Sequence, residues 1–366
     1  MNRTQIPLKK PNPDRQWFSR AIKGEITPSR PPLIELFLDE EIVATIAREM
    51  LSLRWVPIGE DYESRKAYWD NYIEVHYRLG YDTIRVSGGL NFEFAFETAD
   101  DTADLNRGSR QWYSVNKALI EDWKTFEKYP WPDPLTVDLW DYEYIATHLP
   151  EGMGLLANPS SGFFEIPMDG MFGLEKLSLL IYDNPELVDA VFKRTAEIIQ
   201  AFYRRLIGLP NLVGFFQGDD MGYKTSTLVS PSFLRKYVLP EHRKLAQLAH
   251  ENDLLFFLHS CGNLDKVYDD LIDEVGIDGK HSFEDGILPI TEFKRRYGDK
   301  IAALGGVDID KLCRFQENEL RIYVREIIET CLPGGRFALG SGNTVANYVP
   351  IKNYLAMIDE GLNWRG

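Results

Sequence analysis

The chain is poor in cysteine: Cys261, Cys313 and Cys331 are the only three among 366 residues. Three thiols cannot build a disulfide framework, which excludes a small secreted scaffold and agrees with a reducing compartment. Long apolar runs are missing as well. No segment approaches the 18 or so uncharged apolar residues of a membrane span, and the opening MNRTQIPLKKPNPDRQW has basic residues without the apolar stretch of a signal peptide. A cytoplasmic protein is expected. Positive charge is scarce: 41 Lys and Arg against 56 Asp and Glu leave a net charge of -15, which repels nucleic acid and anionic membrane surfaces. The glycine patterns GxGxxG and GxxxxGKS are absent, and no repeat or low-complexity tract appears, so nucleotide-binding sheets and solenoids are not indicated.

What is present is an alternation. Apolar runs at LIELFL (33–38), YDTIRVS (81–87), MGLLANP (153–159), LVGFFQGDD (212–220), LLFFLHSCG (254–262), GIDGKHSF (276–283), IAALGGVD (301–308) and GRFALGSGN (335–343) are separated by stretches of helical periodicity. Strand candidates alternating with helices, without a nucleotide fingerprint, predict an α/β protein with a single (β/α)8 TIM-type barrel. Residues 1–30 read as a short N-terminal helical extension containing an amphipathic helix near 14–23, and 31–366 as the barrel. Between 88 and 112 the period changes: Phe92, Phe94 and Phe96 alternate with other residues, which predicts a hairpin or flap inserted after strand two. A long helix is expected after Ser230 and Pro231, an N-cap and N1 pair.

In such a barrel the site lies at the carboxyl ends of the strands. The polar residues that end the apolar runs are Glu35 and Asp39, Arg85 and Ser87, Asn158, then Gln217, Asp219 and Asp220, His259 and Cys261, His281 and Glu284, Asp308, and Ser341 and Asn343. Any one of them also fits a plain strand-to-loop boundary. His259 and Cys261 are two apart, which puts both on one face of a strand. A thiolate beside an imidazole suits zinc, although the spacing fits equally a buried cysteine next to a hydrogen-bonded histidine, and zinc needs three or four ligands. Glu284 and Asp219 are the carboxylates best placed to add one, while Cys313 and Cys331 fall on outer helices. Asp219 or Asp220 can serve as acid or base; Asn158, Gln217 and Asn343 can orient a substrate. The aromatic stripe at Phe92 can close over an apolar substrate or simply be core.

Five stretches carry a resemblance: RAIKGEITPSRPP (20–32), GDDMGYKTSTLVSPSFLRKYVLPEHRKL (218–245), HSCGNL (259–264), FKRRYGDKIAALGGVDIDKL (293–312) and PGGRFALGSGNTVANYVPIKNY (333–354). Together they resemble the uroporphyrinogen decarboxylase superfamily, and within it the cobamide-dependent methyltransferases. The decarboxylases grip a polyanion with an arginine-rich motif after strand one; here IELFLDEEIV is acidic, and a pocket lined by Glu35, Asp39 and Glu40 argues against that substrate. In the methyltransferase branch the resemblance implies zinc held by the HxC pair and a further cysteine on strand eight, where this chain has Ser341. It therefore implies a corrinoid-dependent methyltransferase that moves a methyl group between a small-molecule donor or acceptor and a methylcobamide on a partner corrinoid protein. With Ser341 in that place, either a carboxylate such as Glu284 completes the zinc site, or the metal is bound weakly by fewer protein ligands, or the site has lost zinc. The alternatives are a decarboxylase-like carboxy-lyase acting without metal, and a non-catalytic binding barrel.

Overall fold

The computed structural model describes residues 5–114 and 117–366. Seven strands form one parallel sheet: β1 (Thr83–Ser87), β4 (Gly154–Asn158), β5 (Leu212–Gly218), β6 (Leu255–His259), β7 (Gly279–His281), β8 (Ala302–Val307) and β9 (Phe337–Ser341), paired in that order. Between β1 and β4, strands β2 (Phe96–Asp100) and β3 (Ser109–Tyr113) make a separate antiparallel hairpin, with Phe96 opposite Tyr113. The parallel strands are buried from end to end apart from Ser87, Leu212 and Gly218, as expected where helices cover the outside and a core fills the inside.

The expected first strand is not a regular one. Residues 33–38 pair with β9 and the loop after it through two isolated parallel bridges, Leu33 with Leu339 and Leu38 with Val345. The reason lies in side chains that take its backbone partners. Glu35 accepts the Ser341 amide at 3.0 Å, and Arg85 donates to the Leu36 carbonyl at 3.2 Å. The segment still occupies the eighth place of a TIM-type barrel, and Ile34 and Leu36 join the interior core with Leu156, Phe216, Phe257 and Leu304.

The amphipathic N-terminal helix spans Arg15–Ile22, capped by Asp14, whose carboxylate accepts the Gln16 and Trp17 amides at 2.9 Å. Its Phe18 and Ile22 enter the same interior core, with Phe18 edge-on to Phe257 at 6.3 Å between ring centroids. The long helix expected after Ser230 is two helices, Pro231–Tyr237 and Leu239–His250. Pro240 has no amide hydrogen to donate to Lys236, so the ladder breaks at Val238. Cys313 and Cys331 do lie on outer helices, Ile309–Arg314 and Glu317–Cys331. Among the described residues no helix is long and apolar enough to cross a membrane.

Candidate active site and metal centre

Strand parity decides which side chains reach the barrel mouth. On β6, Leu255 and Phe257 face the interior, so His259 does too, and Cys261 follows two residues on. On β9, Ala338 is interior and Leu339 exterior, which turns Ser341 outward. Ser341 accordingly engages Glu35, which shares the outer layer with Tyr81 and Tyr354. It is not near Cys261 as a ligand; from the last strand it is Asn343 that reaches the thiol, donating from Nδ2 at 3.3 Å. Gln217 is turned outward by the same rule. It lies between interior Phe216 and the helix Pro185–Leu206, where Tyr203 donates to its Oε1 at 2.6 Å, and it is not part of the wall of the cavity at the barrel mouth.

Three donor atoms converge at the mouth. The side chains of Asp220, His259 and Cys261 place a carboxylate oxygen, an imidazole nitrogen and a sulfur within 4.8 Å of one another. Cys261 Sγ is 3.4 Å and Asp220 Oδ1 3.5 Å from His259 Nε2, and Asp220 Oδ1 also accepts the Cys261 amide at 2.7 Å. Glu284 is not in this group; it lines a neighbouring acidic recess with Asp308 and Asp310.

The histidine's proton can be assigned from its neighbours. His281 Nε2 lies 3.1 Å from the Ser341 carbonyl, which only accepts, so that nitrogen carries hydrogen. Burial drives the His281 pKa down to about 3, leaving its Nδ1 as a lone pair. His259 Nδ1, 2.8 Å away, must then donate. Burial, then the neighbouring His281 and the charges of Arg85 and Lys280, pushes the His259 pKa well down, so Nε2 presents a lone pair to Asp220 and Cys261. A carbonyl–histidine–histidine relay of this kind orients a metal-ligating imidazole. The residues therefore fit a borderline-soft divalent cation such as zinc.

The surrounding loops are built for this convergence. Ser282 has φ +84, uncommon for a residue with a side chain, and its hydroxyl donates to Cys261 Sγ at 3.4 Å; Lys280 Nζ holds the Ser282 carbonyl. Gly262, at φ +80, packs so tightly on Gly222 that a Cβ would sit 2.3 Å from its carbonyl carbon. Burial, then the Asp220 charge, pushes the Cys261 thiol upward, so without a cation it stays protonated.

Asp219 is enclosed. Its oxygens accept the Phe164 amide at 3.0 Å and the Glu165 amide at 2.9 Å, and His242 Nε2 is 2.7 Å away. Gly162 permits this approach, since a Cβ there would meet Asp219 at 2.1 Å. Asp219 thus holds the loop that delivers Glu165 to the cavity. Burial, then the charges of Asp220, Asp219 and Asp169, push the Glu165 pKa well up. Glu165 and Ser282 were not singled out from the sequence; a lone acid inside the apolar FFEIP was the one available sign.

These groups open on a cavity of about 510 Å³ lined by Arg85, Asn158, Glu165, Asp220, His259 and Asn343 on one side and by Phe92, Phe94, Phe96 and Tyr113 on the other. Asn158 donates to Ser87 at 2.8 Å. The hairpin is tied to the barrel by Arg107, which reaches Asp39 and, at 2.8 Å, Glu41, and by Arg110, 2.6 Å from Asn347 Oδ1. The expected acidic lining is corrected here: Glu35, Asp39 and Glu40 are absent from this wall, and Glu40 accepts the Trp55 indole hydrogen instead.

Comparison with known proteins gives three findings. The family described as Uroporphyrinogen decarboxylase (URO-D) matches residues 168–363. A methylated-thiol–coenzyme M methyltransferase of Methanosarcina mazei is 26% identical over 186 residues, which are 51% of this chain and 47% of that protein, so the match spans about half the relative's length. A solved methyltransferase structure from Methanosarcina mazei superposes with a TM-score of 0.66 over 94% of this chain and 97% of its own, at 15% identity, which establishes the shared fold.

Proposed function

Because the chain belongs to the uroporphyrinogen decarboxylase family, we propose that it is a methyltransferase that moves a methyl group between a small substrate and a cobamide carried by a partner corrinoid protein, with zinc at its site. The observation that carries this reading is the convergence of Asp220, His259 and Cys261 within 4.8 Å, with the histidine lone pair directed at the other two. In this reading Asp220 supplies the third donor, for which a carboxylate such as Glu284 was the candidate from the sequence. The methyltransferase relative supports the reaction class.

Zinc held there supplies a Lewis acid that withdraws charge from a thiol acceptor or from the heteroatom of a methyl donor. The chain's own residues do the rest. His281 keeps His259 in the ligating tautomer, and Asn343 and Ser282 orient the Cys261 sulfur through hydrogen bonds. Asn158 and Asn343 offer amides to the substrate, and the aromatic hairpin covers it and limits water. Of the two carboxylates that a metal-independent carboxy-lyase could use to stabilise a protonated ring, Asp219 is enclosed by amides and His242, which leaves Asp220 alone in the cavity for that role.

The test is metal content together with turnover. Protein purified without chelator should carry a single zinc per chain, and Cys261→Ala and Asp220→Ala should lose most of it. Methyl transfer should be seen from methylcobalamin to thiols, or from methyl ethers or methylamines to cob(I)alamin. Wild-type protein free of zinc and inactive in every such assay would overturn the proposal.

A further inference from the structure

Arg85 differs from the ion-paired arginines of the mouth and the outer surface. Arg65, Arg107, Arg110, Arg235 and Arg321 are each within 4.0 Å of a carboxylate. Arg85 is only 6% exposed, yet among the described residues it has no carboxylate partner. Its Nε donates to the Phe216 carbonyl at 3.1 Å and its Nη1 to the Leu36 carbonyl at 3.2 Å, and its guanidinium lies over the Phe37 ring at 4.2 Å and the Phe216 ring at 5.1 Å. Two carbonyls and two ring faces fix its position without neutralising it. A buried charge normally has a counterion, because an unpaired one is costly to desolvate. Burial lowers its pKa only to about 10, so it is charged at neutral pH.

Arg85 lines the cavity. Glu165 lies in the same wall, but among the described residues no ion pair joins it to Arg85. The counterion that the fold omits is therefore one that a ligand can bring. Around it the walls are aromatic: Phe37, Phe92, Phe94 and Tyr113. We propose that the cavity takes a small, flat apolar or aromatic molecule carrying an oxyanion, and that Arg85 receives that oxyanion. Planar oxyanions match the guanidinium fork, and rings match the aromatic walls. This deepens the reading above only in taking the cavity as the substrate site; it does not depend on zinc or on methyl transfer.

Calorimetric binding of benzoate and of benzamide, the same ring with and without charge, tests it. Wild-type protein should prefer benzoate by about tenfold or more, as a charge-assisted pair implies. Arg85→Gln should abolish the preference while keeping benzamide binding, and Glu165→Gln should keep or enlarge it. Equal affinities in wild type, or a preference that survives Arg85→Gln, would overturn the proposal. So would a preference that disappears when metal is chelated but not when Arg85 is changed, since the anion would then sit on the metal. If Arg85→Gln fails to fold by circular dichroism, Arg85→Lys decides: the preference should drop severalfold with benzamide binding intact, and an undiminished preference refutes the idea. An Arg85-dependent preference in protein without methyl transfer would refute the proposed reaction alone.

Discussion

At the scale of single residues, the site turns on which atom each side chain presents. His259 presents Nε2 because His281 takes its other hydrogen, so His281→Phe should leave the ligands in place but free the tautomer. Zinc affinity, measured by competition with a chromogenic chelator, should fall about 10- to 100-fold, the usual cost of losing such support. Cys261→Ala should cost more, because it removes a ligand outright. Asp220→Asn separates charge from shape; it should weaken zinc while leaving the fold intact by circular dichroism. Unchanged zinc affinity in all three would mean that the metal binds elsewhere. The HxC pair was legible in the sequence because a period of two is a strand property. Asp220 was legible only as a residue at a strand end, and its distance to His259 depends on how β5 and β6 lie side by side.

At the scale of elements, the hairpin β2–β3 is a cover held by charge. Arg107 reaches Asp39 and Arg110 reaches Asn347 across the barrel mouth, and Asn347 in turn donates to Asp101 of the hairpin. Asp39→Asn should loosen the hairpin without touching the cavity wall. The expected readout is faster limited proteolysis within 96–113 and a higher KM with kcat little changed; equal proteolysis of both proteins would show that the ties are dispensable. The alternation at Phe92, Phe94 and Phe96 signalled this element correctly, since all three rings line the cavity. The helix after Ser230 was signalled less well. Its N-cap was plain, but the break at Val238 depends on an amide that Pro240 lacks, a local fact that helical periodicity does not register.

At the scale of the whole molecule, two features give measurable handles on stability. Phe18 is fully buried under the barrel, so Phe18→Ala should cost about 3–5 kcal/mol in urea unfolding. A loss within error of zero would show that the N-terminal helix does not contribute to the core. Glu35 is the second: burial raises its pKa from 4.5 to about 8. Below pH 4.5 both folded and unfolded forms hold the proton, and between there and about 8 only the folded form does. Folding stability from this group therefore falls as pH rises through that window, by about 1.4 kcal/mol per pH unit, and levels off above it. Glu35→Gln should flatten that slope, and an unaltered slope would place the titration elsewhere. By itself the sequence determined the barrel, the flap and the pair His259 and Cys261, because apolar periodicity and strand parity are local and survive without neighbours. Only the tertiary structure decided that Ser341 faces outward to Glu35, that Asp220 rather than Glu284 converges on His259 and Cys261, that Asp219 and Gln217 are enclosed, and that Arg85 has no carboxylate partner among the described residues. Each of those depends on what the next strand or loop places opposite a side chain, and that distance is set by packing rather than by spacing along the chain.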